Sequence, residues 1–391
     1  MPGEGVGSQK LAIKHISLRN FRTYLKLDLA LEGNLVFFTG PNGIGKTTIL
    51  EALNMASVLR SFRDGTEKDM IKWDHPHFTI DIEYSGPNGS HQVHIGYGRP
   101  ADGSPNQRSL KIDGNKVDRI SKFIGRFQTV VFSPDDIDII DTTPQERRRF
   151  VDMLLSTLYP SYLESLQEYR RILKSRSEFL KKSKDTAYLS AIDKELAKSG
   201  YHIYNMREKF LGEFQHPFSK YIQLISGGKD DWLISYRPSI KSPSNEEDYF
   251  NDLKKAWPND FRLRQTTKGI HRDRYLFHPG ERESLDLQQV ASQGQKRTVA
   301  LALKMAQFDY TRAVTHETPI LLIDDVLNEL DVHRRTSFIE FLNEIGQALI
   351  TTTDLAGIEE YVKQSRDAFK IEAFEVHQEM NNSLKLHRLE I

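Results

Sequence analysis

Apolar and polar residues alternate along the first third of the chain in the manner of β-strands. Residues 25–31, 78–84 and 93–97 each carry an apolar side chain at every second position. A period of two places these side chains on one face of a half-buried strand. Residues 35–39, 320–323 and 348–352 are almost continuously apolar, so the pattern predicts that they form strands buried on both faces.

The apolar period changes to that of α-helices from Pro144 onward. Pro144 predicts the first turn of one helix, and Pro160 predicts its end. Ser161 and Glu164 have the spacing of a capping box, in which each side chain bonds the backbone N–H of the other residue. This spacing predicts that a second helix begins with Ser161 as its N-cap.

A pair of long helices is predicted next. Residues 166–180 and 189–210 both carry apolar residues at intervals of three and four, and a polar turn separates them. Two such helices joined by a short turn predict an antiparallel hairpin. A second helix of about 25–30 residues would reach about 40 Å at 1.5 Å per residue. We interpret the hairpin as an arm inserted into a globular α/β body; the alternative is an ordinary helical subdomain.

Length and composition narrow the class of protein. The 391 residues predict two or three structural units. Cysteine is absent, which excludes disulfide scaffolds, cysteine-based zinc sites, iron–sulfur clusters and thiol catalysis. The apolar runs are far shorter than the roughly 18 residues of a membrane span, and residues 1–10 are too polar for a signal peptide. We therefore expect a cytoplasmic protein without a membrane partner.

The charge distribution points to one basic segment in a neutral chain. Lysine and arginine number 54 together, the same as aspartate and glutamate. Any affinity for nucleic acid must then come from a local patch. The basic residues of segment 170–184 are Arg170, Arg171, Lys174, Arg176, Lys181, Lys182 and Lys184, against one acid, Glu178. With Arg147, Arg148 and Arg149 they are candidates for a patch that follows DNA phosphates; the alternative is a solvated helix face.

A phosphate-binding loop is the clearest chemical motif. Residues 40–47 match the pattern G-x-x-x-x-G-K-[ST] between a predicted strand and a predicted helix. The residues expected to bind nucleotide are Gly40, Pro41, Asn42, Gly43, Ile44, Gly45, Lys46, Thr47 and Thr48. Lys46 places a positive charge on the β- and γ-phosphates, and the Thr47 hydroxyl is a ligand for Mg²⁺. We expect the Lys46 side chain to be exposed.

The apolar strand at residues 320–323 ends in two carboxylates. Asp324 is the candidate for holding Mg²⁺, and Asp325 for orienting the attacking water or acting as the base. The separation of 278 positions between Lys46 and Asp324 is too long for a minimal nucleotide kinase or small GTPase. A large insertion must therefore separate the two halves of the site.

A second candidate for anion binding precedes that strand. Ser292, Gln293, Gly294 and Gln295 open an apolar helical face, with Ser292 and Gln295 at capping-box spacing. A helix N-terminus that begins at a Ser-Gly turn presents free N–H groups to an anion. Taken alone, this motif is only a capped helix.

The order of these motifs resembles the ABC-type ATPase head shared with SMC proteins, and in detail the RecF family of bacterial recombination mediators. The resemblance extends from about residue 10 to the C-terminus. Its further motifs are Asn20-Phe21-Arg22, Leu50-Glu51-Ala52, Arg60-Ser61-Phe62-Arg63, residues 132–136, Pro144 with Arg147 to Phe150, residues 269–273, and Glu329-Leu330-Asp331.

The resemblance implies an α/β fold, an ABC-type P-loop ATPase head with mixed β-sheets and an inserted helical arm. Residues 1–140 and 263–391 would form the head, and residues 141–262 the arm. The P-loop would bind ATP with Mg²⁺, residues 292–295 would be the ABC signature, and residues 329–331 would line a dimer interface. His271, with Arg272 and Asp273, would contact phosphate or belong to a surface ion-pair cluster.

The resemblance also implies a function: ATP-dependent DNA binding in recombinational gap repair, replication restart and the SOS response to DNA damage. ATP would join two copies into a homodimer on single-stranded, duplex or gapped DNA. Partner mediator proteins would help to load recombinase, and the protein would be cytoplasmic and associated with the nucleoid. Asp325 stands where many ABC ATPases have glutamate, which argues for slow, DNA-stimulated hydrolysis. A transporter-type ABC subunit and a small-molecule phosphotransferase are the alternatives.

Overall fold

The computed structural model describes residues 9–63, 65–98, 104–280, 282–353, 369–379 and 384–389. Contacts between Cα atoms divide the chain into two compact units. The first contains residues 1–136 and 307–391, and the second contains residues 137–306. Residues 263–306, which the sequence interpretation assigns to the head, thus belong to the second unit. Among the described residues, no helix combines the length and the apolar character that crossing a membrane requires.

In chain order the strands are β1 (Gln9–Lys10), β2 (Ala12–Phe21), β3 (Tyr24–Ala30), β4 (Leu35–Thr39), β5 (His77–Gly86), β6 (Gly89–Gly98), β7 (Gln107–Ile112), β8 (Asn115–Lys116), β9 (Thr129–Phe132), β10 (Trp232–Arg237), β11 (Arg274–Pro279), β12 (Glu317–Thr318), β13 (Ile320–Asp324), β14 (Ala348–Thr351), β15 (Ile371–Gln378) and β16 (Leu384–Leu389). The α-helices are α1 (Lys46–Val58), α2 (Ile120–Phe123), α3 (Asp138–Asp141), α4 (Pro144–Leu158), α5 (Pro160–Lys182), α6 (Thr186–Ser226), α7 (Glu246–Lys255), α8 (Trp257–Leu263), α9 (Leu287–Val290), α10 (Gln293–Thr315) and α11 (Val332–Leu342). Short 3₁₀ helices lie at Glu67–Met70, Pro134–Ile137, Ile270–Arg272 and Val326–Glu329.

The first unit is built around a six-stranded sheet in the order β16-β15-β4-β14-β13-β9. All its strand pairs are parallel except β15 with β16. Every residue of β4, β9, β13 and β14 is buried, as expected for parallel strands covered on both faces. The buried strands predicted at residues 35–39, 320–323 and 348–352 are confirmed. Because β4, β14 and β13 run side by side, their carboxyl ends meet at one sheet edge.

A second, antiparallel sheet of the first unit has the order β3-β2-β5-β6-β7-β8. Its apolar side chains and those of the parallel sheet form one core with α1, of which only Thr47 and Val58 are not fully buried. The predicted alternation is confirmed in β5, where Phe78 and Ile80 are buried. In β3 it holds at Leu27 and Leu29, which are buried, but not at Leu25, which is 48% exposed. Leu25 lies opposite Asn20, whose left-handed backbone with φ 51° interrupts the pairing of β2 with β3 between the pairs Arg19–Lys26 and Phe21–Tyr24.

The second unit contains α3 to α9, the antiparallel pair β10–β11 and the first part of α10. The helix predicted to begin at Pro144 is confirmed as α4, which ends before Pro160. The prediction that Ser161 is the N-cap of the next helix is wrong. Tyr159 is the N-cap of α5, and Pro160 occupies the first turn. The fixed φ of proline suits the first helical position, so the helix begins one residue before the Ser-Glu pair.

The predicted helical hairpin is present as α5 and α6. Asp185 caps α6 by accepting hydrogen bonds from the N–H groups of Ala187 and Tyr188. α6 has 41 residues, about 60 Å at 1.5 Å per residue, so the predicted length was too short. Its buried face extends to Ile225, and the helix continues through Pro217.

Arg176, counted above among the basic surface residues, is wholly buried inside this hairpin. Its Nε donates to Asp193 Oδ1 at 2.6 Å and its Nη1 to Asp260 Oδ2 at 2.7 Å. Asp193 lies on α6 and Asp260 on α8, so one guanidinium joins three helices. A buried cation that is paired twice is not available to DNA, and Arg176 is removed from the candidate patch.

Candidate nucleotide site

The phosphate-binding loop connects β4 to α1, which begins at Lys46. Gly40, Gly43 and Gly45 have φ values of 136°, 78° and 111°, a region that other residues rarely adopt. A Cβ atom on Gly40 would lie 2.7 Å from the carbonyl oxygen of Val376, whereas one on Gly43 would meet nothing within 4 Å. The loop is therefore held closely against β15 and leaves open space at its middle glycine, as a cradle for phosphate requires.

Gly45, the N-cap of α1, is held by two neighbouring elements. A Cβ atom there would lie 3.0 Å from both Thr23 Oγ1 and Leu384 Cδ1. The Tyr24 hydroxyl donates to the Gly45 carbonyl at 3.3 Å, and burial raises the pKa of Tyr24. The β2–β3 hairpin and β16 thus fix the point at which the loop becomes a helix.

Lys46 lies inside the loop. Its Nζ donates to the carbonyl oxygens of Gly40 at 2.7 Å and Pro41 at 3.0 Å, and the residue is only 3% exposed. The expectation that Lys46 is exposed is wrong, because the loop backbone encloses the ammonium group. Burial lowers the pKa of Lys46, while the charges of Asp325 and Asp324 act in the opposite direction.

The two halves of the predicted site meet at Asp324. Its Oδ1 accepts hydrogen bonds from the hydroxyls of Thr47 and Thr351, both at 2.7 Å. Burial raises the pKa of Asp324, and the two hydroxyl bonds oppose this shift. Although Thr47 and Asp324 are far apart in the chain, the carboxyl ends of β4 and β13 bring them into direct contact.

Asp325 follows at the end of the strand in a left-handed conformation with φ 51°. Its backbone N–H donates to Thr351 Oγ1 at 3.0 Å. Its Oδ1 is buried and makes no hydrogen bond with any described residue. This leaves a carboxylate oxygen with an unused lone pair beside the P-loop, the arrangement needed to bind a water molecule.

The oxygen atoms at this edge fit Mg²⁺. Thr47 and Asp324 offer a hydroxyl and a carboxylate, and hard oxygen ligands are those that Mg²⁺ prefers. Within the described ranges, no group of three or more histidine or acidic residues is positioned to hold a metal alone. Two protein oxygens suit a Mg²⁺ ion that takes its other ligands from phosphate and water.

Glu51 on α1 joins three of the motifs on which the family resemblance rests, those that contain Arg22, Glu51 and Ser61. Its carboxylate is wholly buried and accepts from Arg22 Nε at 3.1 Å and from the Ser61 hydroxyl at 2.6 Å. Arg22 lies at the tip of the β2–β3 hairpin and Ser61 just beyond α1. The cluster thus fixes the hairpin that holds Gly45, a role that the separate motifs do not indicate.

Thr351 is a site residue that the sequence interpretation missed. The sequence interpretation assigns no role to the segment 351–354. The available signal was the buried strand before it, since parallel neighbours end at the same edge. Thr351 joins Asp324 to the backbone of Asp325. Asp354 lies outside the described residues.

The capping box predicted at α10 is confirmed. The Gln295 N–H donates to Ser292 Oγ at 3.3 Å, and the Ser292 N–H donates to Gln295 Oε1 at 3.0 Å. Ser292 and Gln293 are exposed, and Gly294 and Gln295 are half-buried. All four belong to the second unit, whereas the P-loop and Asp324 belong to the first. In the 329–331 segment, Asp331 caps α11; the side chain of Glu329 lies outside the described residues.

Comparison with known proteins identifies the family. The RecF/RecN/SMC N terminal domain matches residues 12–375. The DNA replication and repair protein RecF of Leptospira interrogans serovar Lai is 37% identical over 361 residues, which is 92% of this chain and 96% of the relative. The chain belongs to the RecF family. RecF of Halalkalibacterium halodurans is 30% identical over 370 residues, 92% of this chain and 97% of that protein.

Solved structures agree with this assignment. The recombination mediator protein RecF-ATP in the RecFOR pathway has a TM-score of 0.85 and 28% identity, covering 97% of this chain and 98% of that one. The Smc head domain of Pyrococcus furiosus, with an extended coiled coil and bound to the C-terminal domain of ScpA, has a TM-score of 0.51 and 16% identity, covering 97% and 96%. The similarity to the Smc head domain shows only that the two proteins share a fold. The predicted α/β fold of an ABC-type ATPase head is confirmed.

Proposed function

We propose that this chain is an ATP-binding protein of DNA replication and repair that hydrolyses ATP slowly. The observation that carries the proposal is the 2.7 Å hydrogen bond between Thr47 and Asp324. It joins a complete phosphate loop to a strand-end carboxylate, which is how P-loop ATPases hold the metal of a bound nucleotide. The names of the relatives supply the biological setting, DNA replication and repair.

Each site residue has a distinct task in this proposal. The backbone N–H groups of the loop, which Pro41 lacks, would donate to the phosphate oxygens, and the Lys46 ammonium would neutralise their charge. Thr47 and Asp324 would hold Mg²⁺, whose chemical contribution is to neutralise charge on the transferred phosphoryl group. Asp325 would orient the attacking water through its unpaired oxygen. Its side chain is one carbon shorter than glutamate, which is the reason to expect slow turnover.

The proposal extends to assembly. ATP would join two copies on single-stranded, duplex or gapped DNA, and the dimer would act with mediator proteins in loading recombinase. The capping box places Ser292 at the N-terminus of α10, and Ser292 and Gln293 are both exposed there. An exposed helix N-terminus of this kind would donate hydrogen bonds to the γ-phosphate held by a second copy.

The rate of ATP hydrolysis with and without DNA tests the proposal. We expect slow hydrolysis that rises when duplex or gapped DNA is added and falls in Asp325→Asn. Glu375→Gln is the control, because Glu375 is an exposed acid of the same unit. Absence of ATP binding by the wild-type chain, or hydrolysis that is equal in Asp325→Asn and unaffected by DNA, would overturn it.

A further inference from the structure

Three arginines of the second unit surround a pair of buried aspartates. Arg148 lies on α4, Arg170 on α5 and Arg272 in the 3₁₀ helix before β11. The aspartates are Asp152 on α4 and Asp273 beside Arg272, which are 9% and 2% exposed. We call Arg148, Arg170 and Arg272 the arginine cluster.

The charge of both aspartates is already compensated from the inside. Arg207, which is 1% exposed, donates to Asp152 Oδ1 at 2.7 Å and to Asp273 Oδ2 at 2.8 Å. The Tyr162 hydroxyl also donates to Asp152 Oδ1, at 2.6 Å, and the Tyr236 hydroxyl donates to Asp273 Oδ2. Asp273 is therefore part of a buried network, so the expectation that it belongs to a surface cluster or contacts phosphate is wrong.

The positive charge of the arginine cluster is neutralised only in part by nearby acids. Arg148 donates to the backbone oxygen of Asp273 at 2.7 Å, and Arg272 donates to the backbone oxygen of Thr266 at 3.2 Å. Neither forms an ion pair with an acid in the described part of the chain. Arg170 is 62% exposed and stands 3.4 Å from Asp152, which Arg207 already occupies. With Arg207, four arginines face these two aspartates and the nearby Glu208, so positive charge remains in excess.

Electrostatic effects within this network agree with the excess. Burial lowers the pKa of Arg148 and the charge of Arg207 lowers it further, while the charges of Asp152 and Asp273 act in the opposite direction. Burial likewise lowers the pKa of His271 to about 4, so this histidine is neutral at physiological pH and adds no charge. Because the cations of the cluster repel one another, binding of an anion would relieve this repulsion and be favourable.

Two lysines continue the positive charge along α5. Lys174 and Lys181 follow Arg170 by four and eleven residues, spacings that return to one face of a helix, and both are exposed. At 1.5 Å per residue the three cations span about 16 Å. One DNA strand carries a phosphate about every 3.4 Å along its axis, so this row matches several consecutive phosphates.

We propose that the arginine cluster, with Lys174 and Lys181, binds the phosphate backbone of DNA. The inference rests on the proposed DNA-binding function and locates its contact surface in the second unit. Guanidinium groups that are held by neighbouring oxygens present their remaining N–H groups to phosphate as fixed forks. The patch differs from the one suggested by sequence. Arg176 is buried, and Arg147 is 3% exposed and pairs with Asp286 at 2.8 Å and 2.9 Å.

The test replaces the cluster and keeps the buried ion pairs of Arg207 with Asp152 and Asp273. The first variant is Arg148→Gln with Arg170→Gln and Arg272→Gln. Its matched control is Lys198→Gln with Lys209→Gln and Lys229→Gln, three exposed lysines of the same unit, so both variants lose the same charge. Affinity for a short fluorescent DNA duplex is measured over a range of salt concentrations. We expect at least about tenfold weaker binding in the cluster variant, and a log–log salt slope reduced by about 0.9 for each lost phosphate contact.

Two further variants separate charge from folding. Lys174→Gln with Lys181→Gln changes only exposed side chains and should also reduce affinity and slope. Arg148→Lys with Arg170→Lys and Arg272→Lys keeps the charge and should retain most of the slope. Thermal unfolding and binding of labelled ATP verify that each variant is folded.

The outcomes distinguish this inference from the proposed function. A wild-type chain that binds no DNA contradicts the proposed function itself. If the wild type binds DNA, and both the arginine-to-glutamine variant and Lys174→Gln with Lys181→Gln keep its affinity and salt slope, the inference is overturned. The proposed function is not affected by that result. The inference is also overturned if the wild type binds polyglutamate, an acidic polypeptide, and the cluster variant loses that binding while it binds DNA like the wild type.

Discussion

Lys46 is the side chain on which the binding of phosphate depends most directly. We expect Lys46→Ala to weaken ATP binding at least about a hundredfold, because the buried cation that faces the phosphates is lost. The change removes two hydrogen bonds to carbonyl oxygens, which destabilises the fold, but it also removes the unfavourable burial of a charge. The two effects oppose each other, so the fold should persist. Titration with labelled ATP and thermal unfolding measure the two effects. Lys26→Ala, at an exposed lysine of the same unit, is the control; equal affinities in both variants would refute the assignment.

His271 makes the stability of the second unit depend on pH. Its Nδ1 accepts from the Tyr169 hydroxyl at 2.9 Å and its Nε2 donates to the Thr266 carbonyl at 3.2 Å. Burial lowers its pKa from 6.5 to about 4, so the unfolded chain takes up this proton first as the pH falls. The contribution of neutral His271 to the free energy of unfolding is complete above pH 6.5 and is lost as the pH falls from 6.5 to 4. The loss is up to about 3 kcal/mol, at 1.36 kcal/mol per pKa unit.

Urea unfolding at several pH values measures this effect. The free energy of unfolding of the wild type should fall more steeply from pH 6.5 to 4 than that of His271→Asn, which cannot take up the proton. His202→Asn is the control, at an exposed histidine of the same unit. Parallel curves for the wild type and His271→Asn would show that His271 is not held neutral.

The sequence predicts the role of a residue when that role depends on residues close to it in the chain. The P-loop spacing identifies Lys46 and Thr47, because the loop, its strand and its helix are contiguous. Thr351 and Glu51 could not be predicted, since their partners are brought close only by the order of strands in the sheets. The burial of Lys46 was also missed, because it depends on how the loop backbone curls around the ammonium group.

The starts of α5 and α10 offer a matched comparison of two elements. Both carry serine three residues before glutamate or glutamine, but only Ser292 caps its helix. We expect Ser292→Ala to reduce the free energy of unfolding by about 0.5–1 kcal/mol, the lower part of the usual range because the bond is long. Ser161→Ala should have almost no effect. Denaturant unfolding of both variants is the measurement, and equal losses would contradict the capping geometry.

Elements were easier to predict than their ends. Apolar period and the positions of proline gave β4, β5, β13, β14, α4 and the α5–α6 hairpin. The start of α5 was misplaced because a proline at the first turn outweighs a capping-box spacing. The length of α6 was underestimated because its later part is held by packing of residues such as Phe218 and Ile225, which propensity does not register.

Assembly is the property of the whole molecule that the proposal makes testable. Asp325→Asn should slow hydrolysis and accumulate dimer in ATP and Mg²⁺, whereas the wild type would dimerise only transiently. Ser292→Arg should bind ATP as a monomer but fail to dimerise, because a bulky side chain would cover the first turn of α10. Sedimentation velocity with and without ATP gives both results. A monomeric Asp325→Asn at saturating ATP, or a Ser292→Arg that dimerises like the wild type, would exclude a composite site.

The strand order of the parallel sheet determines when the site can form during synthesis. β4 lies between β14 and β15, whose residues follow it by more than 300 positions in the chain. At about 5–20 residues per second, a ribosome needs tens of seconds to supply both partners. The second unit is one continuous segment and can fold during that interval. Meanwhile β4 has neither of its strand partners, so the segment that carries the P-loop has two unpaired strand edges and is a natural client for a chaperone on the nascent chain.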